Sequence, residues 1–226
     1  MSEAVSRRRM QTRAALIDGA MRVFASRGVA AASIEEICEA SGFTRGAFYS
    51  NFASRDEIVL AIIERGIAEA QRHVTELVEN RTDLHEAAEL SRPQQEQLIR
   101  DIVTQFHAVQ DNTTAWILAE REIELYTLRN PELRDRYEEL TGTHFENMSR
   151  VVGTAIGCAG GKLTLPLAQF VDLLAAVSLA AGSAAVADRF RGLTSEDVVP
   201  DDAPLNIDPE PVVQLVLGLV DFSLAD

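Results

Sequence analysis

The chain has 226 residues, enough for one or two domains with a sizeable buried core. Its 46% hydrophobic and 6% aromatic content excludes a disordered or fibrous chain and is ordinary for a globular one. The net charge of −14 argues at first sight against nucleic acid, but residues 1–52 carry +2 and the remainder −16. A mildly basic head on an acidic body fits a protein that touches phosphate with the head alone.

Residues 2–11 are polar and read as a loose arm. Arg7, Arg8 and Arg9 either reach phosphates or the minor groove or form a solvated tail, and both readings stay open. No continuous apolar run follows them, so no signal peptide is expected. The spacing of Leu16, Ala20, Val23 and Phe24 predicts a first helix over 12–27, ending at Gly28. Ser33 and Glu36 form an S-x-x-E capping box that opens a second helix, with Ile34, Ile37 and Cys38 on its buried side and Gly42 as a left-handed stop. Thr44 caps a third helix of about two turns, to about Asn51. Phe48 and Phe52 fall four apart and point inward together, leaving Arg45, Gly46, Ala47, Tyr49, Ser50 and Asn51 outside. Ser54 and Glu57 make a second capping box.

Two short helices across a small-residue turn are the helix-turn-helix layout, whose second helix enters the DNA major groove. Gly46 and Ala47 permit close approach, Arg45 can reach guanine edges and Tyr49 can bond a phosphate. On spacing alone an ordinary helical hairpin with a mixed solvent face stays open. Residues 9–60 resemble the DNA-binding domain of the TetR (tetracycline repressor) family of bacterial transcription regulators. The resemblance rests on Leu16, Ala20 and Phe24 ahead of Gly28, on Ser33, Ile37 and Ser41-Gly42, and on the run G-F-T-R-G-A-F-Y-S-N-F-A-S-R. Phe48 stands where the family more often has leucine, and Ser50 and Asn51 replace commoner histidines, which leaves the operator sequence undetermined. The resemblance implies a DNA-binding site made of Ser33, Thr44, Arg45, Gly46, Ala47, Tyr49, Ser50, Asn51 and Arg55, with double-stranded operator DNA as partner.

The fourth helix follows Ser54 and runs to about Asn80, carrying Ile58, Ile62, Ile63, Ile67, Val74 and Leu77 on its apolar side. Arg55 lies in its first turn, where a cation opposes the helix dipole, so a phosphate partner is expected there. Residues 81–92 read as charged and irregular. Pro93 opens a fifth helix with Leu98, Ile99, Ile102, Val103 and Phe106 at helical spacing; a sixth covers about 113–129, and Asn130-Pro131 stops it and starts the seventh. The eighth, about 166–190, is smooth with alanine, and a last helix after Pro211 is apolar nearly all round. Residues 192–210 read as a mobile loop. No strand pattern is apparent, and Asp172, Ser178 and Ser183 break the longest apolar stretch, so no membrane span is expected.

The sequence therefore predicts an all-α protein of about nine helices. A three-helix helix-turn-helix domain over 1–53 is followed, over 54–226, by a helical ligand-binding and dimerisation domain. Four scattered histidines and two cysteines, Cys38 and Cys158, predict no metal site, no disulfide framework and a reducing, cytoplasmic setting. No nucleophile–base pair or phosphate-cradling glycine loop is apparent, so neither a cofactor nor an enzymatic activity is expected.

On the sixth helix Trp116, Glu120, Ile123 and Thr127 share a face, and Ile117, Leu118, Leu125 and Leu128 lie toward another, which predicts a helix sandwiched inside the body. Glu120 either pairs with Arg121 or Arg150, reaches solvent, or lines a cavity with Phe106, Trp116, Ile123, Tyr137, His144 and Met148. The resemblance implies a small-molecule effector in this body and a homodimer. The smooth eighth and apolar ninth helices are the expected dimer surface. A DNA-binding protein without an effector, or a helical enzyme with a vestigial head, are the other readings.

Overall fold

A computed structural model describes residues 2–79, 90–109, 113–193 and 204–221, with side chains described from residue 7 and outside 107–109. Among these residues the chain is all-α with nine helices and two two-residue strands. They are α1 (Ser2–Arg27), α2 (Ile34–Ser41), α3 (Arg45–Tyr49), α4 (Arg55–Glu79), α5 (Arg92–Val109) and α6 (Thr114–Arg129). Then follow α7 (Pro131–Cys158), β1 (Lys162–Leu163), α8 (Leu167–Phe190), α9 (Glu210–Leu219) and β2 (Val220–Asp221).

The expected starts and stops are local chemistry, and most are where the residues put them. Ser33 and Glu36 exchange both hydrogen bonds of a capping box, and Gly42 adopts φ +72° behind α2. Thr113 caps α6 by accepting from the Trp116 N–H at 3.2 Å. Asn130 closes α6 and Pro131 opens α7. Residues 2–11 are a correction, because they belong to α1, which begins at Ser2, and do not form the expected loose arm. Nothing there breaks a helix: Ala4, Arg7–Arg9, Met10 and Gln11 include neither Gly nor Pro, and most favour helix. The short strands are a second correction. Lys162 pairs with Asp221 and Leu163 with Val220, antiparallel, tying the end of α9 to the turn after α7. Of the expected loop over 192–210, residues 194–203 lie outside the described residues, as do 80–89. Ile207 is buried.

The chain divides into two compact units. The first holds residues 1–66, 113–140 and 198–204. Its core joins Leu16, Ala20 and Phe24 of α1 to Ile37, Phe48, Phe52 and Ile58, and takes in Ala119, Ile123 and Leu133. α1 packs more extensively on α6 than on α2. Gly28 shows how close that packing is: at φ +77°, an added Cβ would meet a Glu122 carboxylate oxygen at 2.6 Å. The buried residues of α6 are Thr114, Ala115, Ile117, Ala119, Ile123 and Thr127, whereas Leu125 and Leu128 remain 46% and 52% exposed. Of the expected second face, Ile117 is therefore buried and the part toward the C-terminal end of the helix is open.

The second unit holds residues 67–112, 141–197 and 205–226. One apolar cluster joins Leu98 and Ala159 with Val78, Ile102 and Cys158. Another joins Ile99 and Val103 of α5 to Val212 and Val213 of α9, with Leu174 and Val177 of α8 against them. Arg100 and Glu210 pair across α5 and α9. α8 is the one described helix long and apolar enough to cross a membrane, with a mean hydropathy of 1.9 and only 28% of that window buried. Alanines 175, 176, 180, 184 and 187 account for much of its exposed surface.

Candidate nucleic-acid interface

The surface around α3 is built from its buried side outward. A five-residue helix cannot hold itself, since nucleation costs more than one turn returns. Phe48 and Phe52, 0% and 1% exposed, fasten α3 to the core with ring centroids 5.8 Å apart. Thr44 caps it, its Oγ1 accepting from the Ala47 N–H at 3.3 Å. Thr44, Arg45, Gly46, Tyr49 and Ser50 then face solvent, while Ala47 and Asn51 are half-buried. Gly46 has only the Thr44 hydroxyl near the position of a Cβ, at 3.8 Å, so a ligand can approach the backbone there.

The polar groups of this surface are pre-arranged. Ser50 donates to the Gly46 carbonyl at 2.8 Å, and Asn51 Nδ2 donates to the Ala47 carbonyl at 2.8 Å. Arg45 pairs with Glu35 of α2 and lies 5.9 Å from the Tyr49 ring centroid. Tyr49 first, and then Glu35, hold its guanidinium pKa above the usual value. Both partners of the Arg45–Glu35 pair are more than half exposed, so solvent screens the pair and Arg45 can leave Glu35 for another anion at little cost. Glu35 carried no signal in the sequence, because it lies ten residues from Arg45 and only the folded turn brings the two together. Ser33 is turned inward: its N–H and hydroxyl donate to Glu36 at 2.9 and 2.8 Å and hold that carboxyl below the usual range.

Arg55 has partners within the head that the sequence reading did not name. Its guanidinium donates to the carbonyls of Ala30 and Ala32, each at 2.9 Å, and lies 5.4 Å from the Tyr126 ring centroid. The Tyr126 hydroxyl donates in turn to Asp56 at 2.8 Å. A cation at a helix start needs acceptors, and two peptide carbonyls supply them here. Tyr126 and Asp56 were invisible from sequence, since Tyr126 is 71 residues from Arg55.

The residues expected around an effector divide between the two units. In the first, Ile123 is only 4% exposed and packs into the core of the head, so it is not free to line a cavity. Trp116 stacks against α4: its ring edge would be 3.2 Å from a Cβ at Gly66, and Arg65 lies 5.8 Å from its centroid. Glu120 is exposed at the surface of α6. Desolvation pushes its carboxyl up, against the pull of Arg121. Arg121 itself pairs with Glu124 at 3.1 Å, and the expected Arg150 is hydrogen-bonded to Asn147. Burial, then Glu124 and Glu120, push the Tyr137 phenol up, which places these three groups in one neighbourhood. In the second unit Phe106, His144 and Met148 are half-buried. His144 keeps a buried Nδ1 with no partner among the described residues, and burial lowers its pKa.

A helix-turn-helix head with an exposed, glycine-fronted second helix defines the class of DNA-reading proteins. Residues 16–62 match the family of bacterial regulatory proteins, tetR family. The regulator TtgR of Pseudomonas putida is 35% identical over 74 residues, 33% of this chain and 35% of that protein. This match therefore spans only about a third of the relative's length. YfiR of Bacillus subtilis (strain 168), an uncharacterized HTH-type transcriptional regulator, is 28% identical over 171 residues, 74% of this chain and 77% of that protein. The fatty acid degradation regulator FadR of Bacillus halodurans shares the fold with a TM-score of 0.66 at 15% identity, over 92% of this chain and 95% of that one. FadR of Bacillus subtilis, solved with stearoyl-CoA, aligns with a TM-score of 0.63 at 13% identity over 91% and 98%. The match to the tetR family thus lies in residues 16–62, and over the rest of the chain the likeness is one of fold.

Proposed function

We propose that the protein is a cytoplasmic, homodimeric transcription repressor that reads operator DNA with α3 and releases it when a small molecule binds the helical body. The observation that carries the first half is the exposed row Thr44, Arg45, Gly46, Tyr49 and Ser50 on a helix fixed from behind by Phe48 and Phe52. Arg45 reads guanine, and Tyr49 and Thr44 bond phosphates. The exposed alanine face of α8 supports pairing of two copies through α8 and α9. The two readers then engage half-sites roughly 34–36 Å apart.

Arg45→Ala is expected to weaken a preferred duplex, selected by the protein from a random library, by about 1–3 kcal/mol while leaving unrelated DNA nearly unaffected. Unchanged affinity in both Arg45→Ala and Tyr49→Phe removes α3 from the groove and this reading with it.

The effector half is supported by kinship, since a protein of this fold was solved with stearoyl-CoA, and by the group Glu120, Glu124 and Tyr137. A carboxylate at the site favours an effector with a cation or a hydrogen-bond donor on an otherwise apolar frame. A differential affinity of about 1–3 kcal/mol for the released state changes DNA binding roughly 5–150-fold. Glu120→Gln is expected to weaken release by such compounds and to leave effector-free DNA binding intact. If it weakens DNA binding equally with and without effector, Glu120 is structural.

A further inference from the structure

The arginines of the head differ in how they are used. Arg22 donates to the Ala40 carbonyl at 2.6 Å, Arg27 pairs with Glu36 at 3.0 Å and Arg65 with Asp18 at 2.5 Å. Arg45 is held by Glu35, and Arg55 by two carbonyls. Arg7, Arg8 and Arg9 are exposed and have no ion pair or side-chain hydrogen bond among the described residues. They stand on α1, which continues unbroken past them to Ser2, so their positions are set by the helix.

Arg13 fixes where that segment points. Its guanidinium lies over the Phe52 ring, 4.5 Å from the centroid, and Phe52 stands three residues after the exposed Tyr49 that ends α3. The outer part of α1 therefore lies beside the C-terminal end of α3. Arg9 is one turn further out on the same face of α1 as Arg13, about 6 Å along the axis. Arg7 and Arg8 are turned about 120–140° to either side of that face. With α3 in a major groove, the end of α3 meets the phosphate backbone that borders the groove.

We propose that the first turns of α1 are a second DNA-contact surface, a helical rail that grips the flanking phosphates through Arg7, Arg8 and Arg9. It carries no sequence information: the three guanidiniums meet backbone charge, whereas Arg45 meets bases. A helical segment also differs from an extended arm, which can thread the minor groove and read its width. The inference rests on DNA binding by the head.

The test uses the full-length protein, the library-selected duplex and an unrelated duplex, with affinity followed from 50 to 200 mM salt. Replacing Arg7, Arg8 and Arg9 together by alanine is expected to flatten the plot of log affinity against log salt by roughly 0.9 for each phosphate no longer gripped, about 2–3 for each head, on both duplexes. The ratio between the duplexes stays unchanged. The triple lysine variant, which keeps the charge, is expected to retain most of the slope, and this separates loss of charge from loss of helix. An unchanged slope in the alanine variant overturns the rail while leaving Arg45-dependent binding standing. A fall in the ratio between duplexes overturns it in favour of base reading. Failure of the native protein to select any duplex overturns the DNA-binding reading and the rail together.

Discussion

Arg55→Ala is expected to destabilise the head by about 2–4 kcal/mol, because it removes two charge-assisted hydrogen bonds of about 1.5–3 kcal/mol each, partly screened by solvent. The carbonyls of Ala30 and Ala32 lose their donor, and the turn between α1 and α2 loses its tie to the start of α4. Tyr126 loses the cation over its ring, although its hydrogen bond to Asp56 can remain. Arg55→Lys is expected to recover only part of the loss, since an ammonium cannot fork between two carbonyls and lie on a ring at once. Urea unfolding followed by helical signal measures the change. A native unfolding midpoint combined with uniformly weaker DNA binding would instead make Arg55 a phosphate contact.

Phe48→Ala is expected to cost about 3–5 kcal/mol, the range for removing a large aromatic from a packed core. The ring is fully buried, with Tyr49 edge-on at 5.5 Å and Phe52 at 5.8 Å. α3 has five residues and no other inward side chain of that size, so its orientation is lost together with the stability. Phe48→Leu keeps most of the apolar contact and is expected to fall well short of that cost. DNA binding by Phe48→Ala should fail even at temperatures where α1 and α6 remain folded. A melting temperature within a degree of the native value would show that α3 is held by something other than this ring.

What could be read from the sequence was whatever depends on neighbours a few residues away. Ser33 with Glu36, Thr44, Gly42 and Asn130-Pro131 each set a helix boundary by contacts within about one turn, and all appear where expected. The inward pairing of Phe48 and Phe52 was equally plain from their spacing. The start of α1 was missed because its first turns carry no cap and no apolar period. The partners of Arg55 are hidden for another reason. Its dipole argument correctly called for acceptors, but Ala30 and Ala32 lie more than twenty residues away and only folding brings them close. On α6, composition made two faces look alike. Packing on α1 chose Ala119, Ile123 and Thr127 and left Leu125 and Leu128 open, a choice that needs both helices to be seen. The two-residue strands leave no pattern at all.

The core of the head draws on Ala119, Ile123 and Leu133, which lie more than fifty residues beyond the end of the matched segment at 62. A transplant of residues 1–66 onto another regulator's body would leave behind the helix that lines α1. Its Gly28 would face a stranger in place of Glu122, and its Arg55 would lack Tyr126. Chimaeras that exchange readers between relatives should therefore carry residues 113–140 with the reader. A substitution in α6 on the side that meets α1 therefore acts on the reader, although only α1 lies in the matched segment.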